Sequence, residues 1–115
     1  MYKNGQDLPK KYNEHMRGGD GVVEITSFAT PEELNEKGRL FANITLNPGC
    51  GIGYHVHEGE SELFYVMKGT AEYSDNGNII TVNAGDVMIC PPGTGHSIAN
   101  KSDEVTEVVA VILHE

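Results

Sequence analysis

Residues 49–69 read GCGIGYHVHEGESELFYVMKG. His55 and His57 stand two apart in a short extended stretch, Tyr54–His57, and side chains two apart on a strand share a face. Both imidazoles therefore point the same way, as a bidentate metal site requires. Surface strands also carry His-x-His by chance. The polar turn Glu58-Gly59-Glu60-Ser61 follows, and the chain resumes as a strand over Glu62–Met67. That strand runs back beside the first and puts a carboxylate within reach of the two imidazoles. On local grounds Glu58, Glu60 and Glu62 compete for that place.

Around this stretch the sequence alternates strands and turns. Val22–Phe28, Leu40–Leu46, Thr70–Ser74, Ile79–Val82, Val87–Cys90, Ser97–Ala99 and Val105–Leu113 read as further strands, about nine in all. Asp75-Asn76-Gly77-Asn78 is a hairpin signal, because Asn-Gly tolerates positive φ at low cost. Thr30, Pro31 and the acids after them predict one short helical turn, with Thr30 as cap and Pro31 at the first helical position. Residues 1–21 are polar and end in Gly18-Gly19-Asp20-Gly21, the pattern of an N-terminal arm, which leaves residues 22–115 as one domain. The class is all-β, a sandwich or barrel. His96 follows Pro91-Pro92-Gly93-Thr94-Gly95, a rigid turn that releases the chain into a strand.

Two segments carry a resemblance. Gly49-x5-His55-x-His57-x4-Glu62-x6-Gly69 resembles the first motif of the cupin family, and Gly85-x5-Pro91-x-Gly93-x2-His96-x3-Asn100 resembles the second. The resemblance implies a small jelly-roll β-barrel. It implies His55, His57, Glu62 and His96 as ligands of one divalent metal, which favours Glu62 over its two neighbours. Mn, Fe, Ni, Zn, Co and Cu all suit such a set, and intrinsic affinity order does not reveal which is native. Four protein donors leave two positions of an octahedron for water, O₂ or an anion. The absence of thiolate sets the group apart from closed structural zinc sites. Gly49, Gly69, Gly85 and Gly93 fit turns, and Asp86 and Asn100 fit turn-holding roles.

If Glu62 points inward, so do Phe64 and Val66; if His96 does, so does Ile98. These three, with Arg39 at the start of a strand, are the expected walls of a substrate pocket. The opposite face carries Leu63, Tyr65 and Met67, too apolar for a strand facing water, and so a homodimer is expected.

The chain has 115 residues, 8 basic and 17 acidic, for a net charge of −9. Such a field repels nucleic acid and anionic membranes. No apolar leader is visible and the two cysteines, Cys50 and Cys90, make no disulfide framework, so a cytoplasmic location is expected. The expected partner is a small molecule. Three functions compete. The first is a metal-dependent enzyme acting on a small organic acid, as a decarboxylase or dioxygenase. The second is a non-catalytic ligand-binding module. The third is a sugar isomerase or epimerase, which needs a paired acid and base that the sequence does not supply.

Overall fold

A computed structural model describes residues 1–115. Ten strands form: β1 (Lys10–Glu14), β2 (Val22–Ser27), β3 (Gly38–Leu46), β4 (Gly51–Val56), β5 (Glu60–Lys68), β6 (Thr70–Asp75), β7 (Asn78–Asn83), β8 (Val87–Cys90), β9 (Gly95–Ala99) and β10 (Thr106–His114). They make two antiparallel sheets, one ordered β1-β2-β3-β10-β5-β8 and the other β4-β9-β6-β7. The jelly-roll expectation is met. No helix of the structure is long and apolar enough to cross a membrane.

The core lies between the sheets, where alternation turns one face of each strand inward. Phe64 and Val66 of β5 meet Val108 and Ala110 of β10, Ala42, Ile44 and Leu46 of β3, and Tyr73 and Ile98 from the smaller sheet. Their outward neighbours Tyr65 and Met67 stay exposed. Burying one face of β5 while wetting the other fixes its register, since a slip of one residue would exchange Phe64 for Tyr65.

Turn chemistry behaves as the residues dictate. Asn76 and Gly77 both take positive φ, 51° and 97°, between β6 and β7. The Asp86 carboxylate accepts from the Asn83 amide at 2.7 Å. Asn100 is fully buried; its amide donates to the carbonyls of Leu46 and Glu104, and its oxygen accepts from Ser102. It therefore ties the ends of β3 and β9 to the loop before β10.

Two local expectations are refined. The turn at residues 30–34 forms, with the Thr30 hydroxyl accepting from the Glu33 amide and the Glu33 carboxylate accepting from the Thr30 amide. It ends after one turn because Asn35 and Glu36 adopt left-handed conformations. The chain's 3₁₀ turns lie elsewhere, at Gly5–Asp7 and Met16–Gly18. The second difference is that residues 10–14, read as part of an arm, pair with β2 and extend the larger sheet. Their charged sequence, KKYNE, hides the strand because β1 is an edge and buries little of either face.

Candidate metal centre

The sheets deliver four side chains to one point. His55 on β4 sits directly opposite His96 on β9 in the register of the smaller sheet. His57 follows β4 by one residue and keeps the parity of His55. Glu62 comes from β5 of the facing sheet. The donor atoms all lie within 4.8 Å of one another. His57 Nε2 is 3.2 Å from His55 Nε2, 3.1 Å from His96 Nε2 and 3.0 Å from Glu62 Oε1, and His96 Nε2 is 3.0 Å from the same oxygen. Ligands roughly 2.1 Å from an ion and at right angles stand about 3.0 Å apart, so the spacing fits the edges of an octahedral site.

The outer faces of the rings decide which nitrogen points in. His55 Nδ1 meets the Gly53 carbonyl at 2.8 Å, His57 Nδ1 meets the Glu60 carboxylate at 3.0 Å, and His96 Nδ1 meets the Tyr73 hydroxyl at 2.9 Å. A carbonyl and a carboxylate can only accept. His55 and His57 therefore donate from Nδ1, which leaves each Nε2 lone pair aimed at the shared centre when the ring is neutral. Burial pushes the His55 imidazole below its ordinary pKa, which favours that neutral form. Phe64 stacks on His96, with ring centroids 5.1 Å apart and planes 11° apart, and fixes the third imidazole from behind.

The carboxylates of the turn thus separate into different jobs. Glu62 faces the cluster. Glu60 stands behind His57 and is itself gripped by Arg39, which donates from Nε and Nη2 at 2.7 Å each. The Arg39 guanidinium holds the Glu60 carboxyl down at about 2, with the His57 contact adding to the effect against the opposing cost of burial. Glu58 is exposed and joins neither group.

A cavity of about 340 Å³ opens from the cluster toward solvent. Its floor is His55, His57 and Glu62 with Ile44, Ile52 and Ile112; its outer wall includes Met16, Ile25, Ser27 and Leu40; its exposed mouth carries Lys10, Lys11, Arg17 and Arg39. Of the four residues expected as pocket walls, only Arg39 lines it. Phe64, Val66 and Ile98 point inward but pack one layer deeper, 2 %, 0 % and 2 % exposed, because the parity that turns them in also slots them between the sheets beneath the cluster. Met16, Arg17, Lys10 and Lys11 are wall residues that the sequence analysis missed. Lys10 and Lys11 reach it on β1, and Met16 and Arg17 because the Met16–Gly18 turn lies flat on β4, an approach that glycine permits: a Cβ on Gly53 would overlap the Arg17 carbonyl, and one on Gly19 would overlap the Gly51 carbonyl. The spacing Gly18-Gly19 with Gly51 and Gly53 was the available signal.

The family model for the cupin domain matches residues 42–112, more than half of the chain. The chain belongs to the cupin family. Among curated proteins, this cupin is 41% identical over 113 residues to the oxalate-binding protein of Thermotoga maritima, covering 98% of this chain and 93% of the relative. Among solved structures it is similar to a Thermotoga maritima protein described as a predicted oxalate decarboxylase, at TM-score 0.96 and 36% identity over the whole of both chains. A cupin from Silicibacter pomeroyi described as a sugar phosphate isomerase shares the fold at TM-score 0.79, with 16% identity and coverage of 100% of this chain and 76% of that one.

Proposed function

We propose that this cupin holds one divalent transition metal on His55, His57, Glu62 and His96 and uses it to bind a small organic acid. One observation carries the metal: the Nδ1 partners of the imidazoles turn their Nε2 atoms onto a single carboxylate oxygen and one another. The anion is supported by the lining. The chain carries −9 overall, yet the cavity collects Lys10, Lys11, Arg17 and Arg39 against the single carboxylate of Glu62. The relatives described as oxalate-binding and as a predicted oxalate decarboxylase agree with a carboxylate ligand.

Bound there, the metal supplies a Lewis acid for a carboxylate and, when redox-active, a site for O₂. The chain's own residues supply orientation and exclusion of water. Glu60 and Gly53 hold the rings, and Ile44, Ile52 and Ile112 line the floor. Binding without turnover is the reading that the lining favours, because Glu62 is its sole carboxylate and Glu60 is committed to Arg39 and His57. Decarboxylation or oxygenation is the second reading, supported by the relative described as a decarboxylase. Isomerisation has least support: the cavity holds no tyrosine, and its lysines sit at the exposed mouth rather than on the floor.

Elemental analysis of protein purified without added metal or chelator, followed by calorimetric titration of the loaded protein with oxalate, tests binding. One equivalent of metal and saturable binding are expected; metal-loaded protein indifferent to oxalate and to every other carboxylate would end the proposal. Oxalate turnover with Mn²⁺ and O₂ uptake with Fe²⁺ separate the two readings. A homodimer belongs to the same proposal, supported by the exposed apolar face of Tyr65 and Met67 on β5 beside Val87 and Ile89 on β8. Light scattering should return twice the chain mass of 12.5 kDa.

A further inference from the structure

We infer that the cavity is built for a carboxylic acid with an apolar body, larger than oxalate. The inference rests on the metal-dependent carboxylate reading above and extends it to the class of ligand. The volume of about 340 Å³ is that of about ten water molecules and falls within the range of small-molecule pockets. Oxalate has two carbons and four oxygens; seated on the cluster, it would leave most of that space as water against isoleucine and leucine. Ile44, Ile52 and Ile112 line the space beside the metal donors, with Leu40, Met16 and Ile25 in the outer wall. A ligand composed only of carboxylates makes no use of such walls, whereas an alkyl or aryl body displaces water from them.

The mouth fits the same class. Lys10 is engaged by the Thr26 hydroxyl and the Glu24 carboxylate, and Arg39 by Glu60. Arg17 and Lys11 make no hydrogen bond or ion pair through their side chains and stand exposed at the rim. Arg17 is held in a left-handed conformation, φ 54°, on the turn that lies against β4. Two free cations at the opening of an otherwise acidic protein admit an anion and leave the walls to select its body.

The test keeps the head of the ligand constant and grades the body. Pyruvate and α-ketoisocaproate present the same edge of carboxylate and keto oxygens, the second with three more carbons. Both are titrated, beside oxalate, into protein whose metal content has been measured. α-Ketoisocaproate is expected to bind at least about tenfold tighter than pyruvate, from the burial of the added carbons. Ser27→Leu, which fills the outer wall, should lower that ratio toward one with metal content unchanged. Arg17→Asn, which suits the left-handed backbone, should weaken both keto acids severalfold at low salt and little at high salt. Oxalate binding combined with a ratio near one in the wild type would overturn the inference and leave the metal-and-carboxylate function standing. Metal-loaded protein that binds none of the three acids would overturn both.

Discussion

The floor and the mouth of the cavity come from different parts of the chain and are held by different forces. The floor is drawn from β3, β4, β5 and β10, inside the segment 42–112 shared with the family, and the three imidazoles of the cluster, that of His96 on β9 included, are each clamped from behind by a hydrogen bond or a stacked phenyl. The mouth is drawn from residues 9–27, outside that segment, together with Arg39 and Leu40; its walls rest on an edge strand and one 3₁₀ turn seated on glycines. The floor has the rigidity that metal chelation needs. The mouth has the exposure that ligand exchange needs.

The sharpest way to break this division is to damage the floor alone. His57→Ala removes the ring that touches all three other donors and should take metal from one equivalent to near zero by elemental analysis; full occupancy would refute the ligand set. Glu60→Gln is the next largest. It leaves an acceptor for His57 but removes the charge and the Arg39 grip, so metal affinity should fall by roughly 10–100-fold in a competition assay with a chelator. An unchanged affinity would reduce Glu60 to a surface residue. Gly19→Ala works on the mouth: the added methyl would overlap the Gly51 carbonyl and must push the Met16–Gly18 turn off β4, so keto acid affinity should fall severalfold while metal content holds. Equal loss of both would show that floor and mouth are one unit.

The smallest effect is a dependence on pH. Glu60 titrates at about 2 in the folded chain against an ordinary 4.5, because of Arg39. A depressed carboxyl pKa adds stability above the ordinary value and loses it as pH falls toward the folded one. Arg39→Met should therefore lie below the wild type in melting temperature above about pH 5, and the gap should narrow as pH approaches 2. A gap indifferent to pH would mean that Arg39 acts through packing alone.

The same division explains what could be read from the sequence. The parity of His55 and His57 is a local property, and strand geometry converts it directly into a shared face; Glu62 reaches them from the opposite sheet, because β5 pairs with β10 and β8 and not, as its turn suggested, with β4. The three glutamates of the turn are not separable locally: Glu62 and Glu60 share parity on β5, and only the arrival of Arg39 from β3 gives Glu60 its own task. Phe64, Val66 and Ile98 show the limit of parity, which says in or out but not how deep. β1 was invisible because an edge strand leaves no alternating apolar trace, and with it went Lys10, Lys11 and the position of Arg17.

β1 also bears on how copies of this protein can meet. It ends the larger sheet with one side of its backbone unpaired, and it does so with Lys10, Lys11 and Glu14 along five residues. The cost of taking those charged side chains out of water resists the strand-to-strand addition that open sheets invite. That edge is thereby a poor place for two copies to join.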